Sequence, residues 1–190
     1  MAQDRYSRGA IILHWLIALL IIGQLCGGFY MAGLSDEQAS LKFQIFQLHK
    51  SFGVTILLLS IVRLGWRLTH KVPPLPPGMA AWERVAARAT HIALYVMMFV
   101  TPLLGWAYVS VAPLNVPTYL FGVIPWPHMP FFEDVADRKA VAEMFHEYHE
   151  AAAFVIIGLL ALHVAGALKH HFLNRDDVLS RMLPLIRSRS

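Results

Sequence analysis

Four apolar stretches, roughly residues 10–31, 44–68, 89–112 and 148–172, set the strongest limit on what this chain can fold into. Each supplies the roughly 20 helical residues needed to cross a hydrocarbon layer about 30 Å thick. Inside a bilayer the backbone must satisfy its own hydrogen bonds, and runs of this length do so as helices. Among 190 residues, 57% are hydrophobic and only 15% charged, which excludes an ordinary soluble domain. The fold expected is all-α, a four-helix transmembrane bundle forming one domain over residues 1–190, with no internal repeat. The first run follows "QDRYSR", but it exceeds the ~7–15 residues of a signal-peptide core and holds His14 and Trp15, so it reads as a retained helix.

The basic residues predict the orientation. Arg5 and Arg8 precede the first run; Arg63, Arg67, Lys71, Arg84 and Arg88 surround the second connection; Lys169, Arg175, Arg181, Arg187 and Arg189 follow the last run. Only Lys42, Lys50, Arg138 and Lys139 belong to the other two connections. Because positive charge is retained on the cytoplasmic side, both termini are expected in the cytoplasm. The basic balance therefore follows from topology and implies no nucleic-acid partner.

The connections differ in character. "KVPPLPPGM" (71–79) reads as a stiff extended connector. "PLNVP" and "PWPHMP" make the first half of 113–147 irregular, and "FEDVADRKAVAEMFHEYHE" reads as a short surface helix running into the fourth span. Pro102 falls inside the third span, a kink that neighbouring helices tolerate. Cys26 is the single cysteine, which excludes an intrachain disulfide, a thiolate zinc cluster and covalent c-type haem attachment. It reads as a small apolar core residue.

Histidines carry the chemistry. His149 and His163 are separated by about 1400° of helical turn, about 40° short of four full turns, and by about 21 Å of rise, so they share a face near opposite membrane surfaces. His14 begins the outward first run and His49 begins the inward second run, so depth pairs His14 with His163 and His49 with His149. Two imidazoles are too few for a zinc site, which takes about four ligands. A haem brings four equatorial nitrogens and needs only axial ligands. Three or four residues after each histidine stand Ala18, Gly53, Ala152, Ala153, Gly166 and Ala167, small enough on the same helix face to admit a flat ring, whereas His91 is followed by Leu94 and Tyr95. Ionisable groups at membrane depth are costly and point to function.

At these residues the chain resembles the bacterial cytochrome b561 family of four-helix di-haem membrane proteins. The resemblance rests on "RYSRGAIILHW", "QLHKSFGVTILLLSIVRLGWRL" with "PPLPP" after it, "THIALYVMMFVTPLLGW", and "HEAAAFVIIGLLALHVAGALKHHF" with "LSRMLP", in order along nearly the whole chain. It implies two non-covalent haem b groups with His14, His49, His149 and His163 as ligands, electron transfer across the membrane, and ubiquinone as one redox partner. In some members the reaction is superoxide:ubiquinone oxidoreduction; similar haem helices serve as conduits for soluble catalytic partners in larger respiratory complexes.

Other residues take supporting expectations. Arg63 and Arg67, on one face at the end of the second run, suit haem propionates through bidentate pairing, and equally suit positive-inside anchoring. His170 continues the ligand face and suits proton delivery to a quinone, with His171 and His91 at the same boundary as interfacial residues. Lys50, next to His49, is the candidate for attracting superoxide. The outside segments nevertheless carry an acidic excess (Asp36, Glu37, Glu133, Asp134, Asp137, Glu143, Glu147, Glu150), which suits a basic electron-carrier protein. His70, His128 and His146 read as surface residues, and Trp15, Trp66, Trp82, Trp106 and Trp126 as an interfacial belt. A third reading is a histidine-lined metal or proton carrier without haem.

Overall fold

The computed structural model describes residues 5–183, so Arg187 and Arg189 lie outside the described residues. Four helices dominate: α1 (Arg8–Ala32), α2 (Ala39–Thr69), α3 (Ala81–Val111) and α4 (Arg138–Lys169). All four are long and apolar enough to cross a membrane. They alternate in direction, so the start of α1, the end of α2, the start of α3 and the end of α4 share one end of the bundle, the termini end. Large apolar side chains such as Ile12, Leu19, Leu58, Ile92 and Leu162 are exposed along the spans, as expected where lipid is the solvent. Cys26 belongs to this exposed surface and not to the core.

Local chemistry sets the helix limits. Ser7 caps α1 by accepting from Ala10 N at 3.4 Å, and also accepts the Trp66 indole N–H at 2.9 Å, which ties α1 to the end of α2. Ser35 and Gln38 form a capping box ahead of α2. Asp137 caps α4 through Ala140 N at 3.0 Å. The surface helix anticipated before the fourth span therefore starts only at Arg138 and is continuous with it. Beyond Lys169 the helix widens into a π-turn over His170–Asn174 and ends at Arg175 in the left-handed region, φ 55°.

The stretch read as irregular holds a small hairpin, β1 (Thr118–Leu120) and β2 (Ile124–Trp126), antiparallel with Thr118 opposite Trp126 and Leu120 opposite Ile124. Its turn needs positive φ at Phe121 (52°) and Gly122 (76°). Glycine adopts that conformation without penalty, whereas Phe121 does not. The structure holds Phe121 there: its N–H donates to Ser51 Oγ at 2.9 Å and its ring meets Phe52 at 5.2 Å. Lys50 Nζ and Gln47 Nε2 both donate to Pro117 O. Arg138 donates to Ser110 O, Val111 O and Phe132 O, so it closes the open carbonyls at the end of α3. The hairpin end is thereby fastened to α2 and α3.

Consecutive helices pack side by side, α3 against α4 most closely, while α4 shares at most isolated close backbone approaches with α1 and α2. The core is a thin layer of Ile17, Ile21, Ile56, Met98 and Ile156 at mid-depth. Ile156 stands halfway along α4 between His149 and His163, so apolar packing divides the interior into two levels.

Candidate functional site

Each level holds an imidazole pair. At the termini end the His14 and His163 ring centres are 6.0 Å apart, with planes inclined at 63°. At the hairpin end His49 and His149 are also 6.0 Å apart, inclined at 81°. An imidazole nitrogen lies about 1.1 Å from its ring centre and a metal–N bond is about 2.0 Å, so one metal held between two imidazoles sets the centres about 6 Å apart. His91 and His163, at 5.2 Å, stand too close for that and are in direct ring contact.

Backbone positions reinforce the fit. The pairs join α1 to α4 and α2 to α4, the helix combinations whose backbones do not pack closely. A Cβ on Gly166, three residues after His163, would meet nothing within 4 Å. Among the described residues no group of three or more His, Cys, Asp or Glu side chains is arranged to hold a metal. A donor set of two imidazoles suits a group that brings its own equatorial ligands. On donor number and spacing, the residues fit haem.

What stands behind each imidazole was not legible in the spacing. His149 Nδ1 donates to Thr101 O at 2.9 Å, which leaves Nε2 for a ligand and fixes the ring. Gly105, one turn further along α3, lets that ring approach: a Cβ there would fall 3.0 Å from His149 Cε1. A Cβ on Gly28 would lie 3.5 Å from His49 Cε1, an ordinary van der Waals contact, and His49 Nδ1 is buried without a partner. Gln24 Nε2 donates to His49 O at 2.8 Å and fills the space beside Gly53. Glycine inside a helix costs about 1 kcal/mol relative to alanine, and that cost was the signal available for Gly105. Arg63 Nη2 lies 3.0 Å from His14 Nδ1.

Arg63 and Arg67 both lie over the Tyr95 ring, at 5.3 and 5.5 Å, and line a cavity with Tyr6, Trp66, Lys71 and Met182. Burial holds the Tyr6 hydroxyl above the usual tyrosine range, with Arg67 and Arg181 opposing it. The two arginines thus converge beside the His14–His163 pair.

His170 is nearly buried, and its Nδ1 donates to Asp176 Oδ2 at 2.6 Å, while Asn174 Nδ2 approaches the same nitrogen at 3.2 Å. Its contacts are with the segment after α4 and not with the imidazole pair. It is instead His91, read from sequence as interfacial, that joins the termini-end cluster. His70 is exposed and stacks on Trp66 at 4.1 Å, His146 is exposed beside Tyr108, and His128 is half-buried.

At the hairpin end the basic groups are already occupied. Lys50 is nearly buried and directs its ammonium to Pro117 O at 3.1 Å and over the Phe46 ring at 4.9 Å. Lys42 donates to Leu34 O, Arg138 to three carbonyls, and Lys139 pairs with Glu143 at 3.9 Å. They do not converge on His49 and His149.

Comparison with known proteins gives the family. Residues 5–185 match the family described as prokaryotic cytochrome b561. Cytochrome b561 homolog 2 of Escherichia coli (strain K12) is 33% identical over 180 residues, covering 95% of this chain and 92% of the relative. Cytochrome b561 homolog 1 of the same organism is 28% identical over 182 residues, covering 96% and 98%. The probable superoxide oxidase CybB of Yersinia pestis is 27% identical over 187 residues, covering 96% and 97%. With four membrane-spanning helices and a family match over almost its whole length, the chain belongs to the prokaryotic cytochrome b561 family of multi-pass bacterial membrane cytochromes, for which haem b is the implied cofactor.

Proposed function

We propose that the protein is an inner-membrane oxidoreductase that carries electrons between a periplasmic donor at the hairpin end and ubiquinone at the termini end, with both termini cytoplasmic. The observation that carries this reading is the presence on α4 of two imidazoles, one at each level, each 6.0 Å from a histidine of another helix. His14 with His163, and His49 with His149, would hold two haem b groups. When bound, these groups supply a one-electron iron couple at each level.

The chain's own residues supply position and protection. Gly105 admits the His149 imidazole, Thr101 orients it, and the layer of Ile17, Ile21, Ile56, Met98 and Ile156 keeps water out between the levels. Arg63 and Arg67 bind propionates at the termini end, supported by their convergence on one cavity. His170, oriented by Asp176, holds the proton that a reduced quinone requires. Lys50 acts on the donor side by fastening the hairpin over the His49 level.

Superoxide is the donor suggested by the relative named a probable superoxide oxidase. A second reading, a conduit for a basic redox protein, is favoured by the acidic excess at the hairpin end and by the occupation of its lysines and arginine. Reduced-minus-oxidised spectroscopy with pyridine haemochrome quantification, followed by addition of superoxide and then ubiquinone, tests both. Two b haems reduced by superoxide and reoxidised by quinone support the enzyme. Two haems inert to superoxide, with a partner retained in mild detergent, select the conduit, and a colourless protein from haem-replete cells sinks both.

A further inference from the structure

The two imidazole pairs differ in what stands behind them. At the hairpin end, His149 Nδ1 donates to the Thr101 carbonyl. An imidazole whose outer N–H is held by a carbonyl is a stronger electron donor, which favours an oxidised metal. Glu147 and Glu150 flank His149, exposed on the same helix, and their negative charge acts in the same direction. Lys50 is the cation nearest in sequence, but it is turned to Phe46 and Pro117 and touches neither ring.

At the termini end the partner is a cation. Arg63 Nη2 lies 3.0 Å from His14 Nδ1, Arg67 lies beside it over Tyr95, and Lys71 lines the same cavity. None of the three forms an ion pair among the described residues. A guanidinium has donors only, so it offers His14 no acceptor comparable to the Thr101 carbonyl. If His14 held a metal through Nε2, its Nδ1 would carry a proton, and the neighbouring Arg63 guanidinium, which has donors only, would stand as an unneutralised positive charge beside the ligand. Positive charge at short range in a part-buried site favours the state holding one more electron. The sign is the same if Arg63 pairs with a propionate, because it then cancels negative charge at the edge of the ring system.

We infer that Arg63 is a positioning residue that makes the His14–His163 site the more easily reduced of the two, so that electron flow runs downhill from the hairpin end to the termini end. The exchange moves one electron: the hairpin-end site is oxidised, the termini-end site is reduced, and no bond or proton changes hands. This inference rests on the two-haem reading above.

The test is an optically monitored potentiometric titration of the purified, haem-loaded protein, with each component assigned by His149→Leu, which leaves only the termini-end site, and His163→Leu, which leaves only the hairpin-end site. The component surviving in His149→Leu is expected at the higher midpoint. Arg63→Gln is expected to lower that midpoint until the exchange equilibrium between the sites changes about tenfold, equivalent to about 59 mV for a one-electron couple. Arg63→Lys, which keeps the charge, is expected to restore most of the shift. A lower midpoint at the termini end, or an Arg63→Gln change confined to the other component or absent from both, overturns the inference while leaving two haems intact. If Arg63→Gln loses its haem, the order of midpoints in the unmodified protein decides. Fewer than two b components in the unmodified protein overturn the two-haem reading and the inference together.

Discussion

The imidazoles of His49 and His149 stand 6.0 Å apart, centre to centre, although α2 and α4 do not pack closely against each other. Two side chains thus meet across a gap that their backbones leave open. His14 and His163 repeat the arrangement between α1 and α4.

If each pair holds one haem as proposed, removing either member of a pair is expected to remove one haem and leave the other, because the apolar layer around Ile156 separates the levels. His49→Leu and His14→Leu should each halve the pyridine haemochrome yield per chain. A double variant of one pair should lose no more than a single one; loss of all haem from one substitution would contradict independent sites.

Gly105→Ala is expected to displace His149, since the new Cβ falls 3.0 Å from its ring and lies on a helix backbone that cannot easily retreat. Overpacking of this kind costs about 1–3 kcal/mol. Haem content should fall selectively at the hairpin end, read from the haem-to-protein ratio and the surviving spectrum. Gly65→Ala, where nothing lies within 4 Å, should retain both haems.

Ser51 is 1% exposed, donates to Gln47 O at 2.8 Å and accepts the Phe121 N–H at 2.9 Å. Ser51→Ala leaves that amide without its partner, at a cost of about 1–3 kcal/mol. Hydrogen exchange at Phe121 and Gly122 should accelerate while the haem-to-protein ratio stays unchanged. Unaltered exchange would show that the Ser51 hydroxyl does not hold the hairpin turn.

His170→Gln is expected to slow quinone reduction by about 100-fold, the lower range for a positioned acid or base, without loss of haem. Asp176→Asn, which weakens the orientation of that ring, should slow it less. Full activity in both variants would place the proton donor elsewhere, His91 being the next histidine at that end.

The histidine spacing on α4 was legible because helical rise and turn are regular: His149 and His163 had to lie on one face at two depths whatever surrounded them. The partners His14 and His49 followed from span direction, which length and hydropathy specify. The hairpin at Thr118–Trp126 was not legible, because three-residue strands show too little alternation and Phe121 adopts a conformation its side chain disfavours. The role of His91 was hidden by Leu94 and Tyr95, which suggested no room for a ring, yet the ring that matters there is His163 itself.

By itself, then, the sequence determined four spans and the relative depth of the four paired histidines, because these follow from hydropathy and helical periodicity, while its motifs in order along the chain carried the family. Only the tertiary structure decided which atoms stand behind the imidazoles: the Thr101 carbonyl, the Arg63 guanidinium, and the bare surface of Gly105. Those contacts depend on the rotation of one helix against another, and many rotations preserve the same hydrophobic pattern while only packing selects among them.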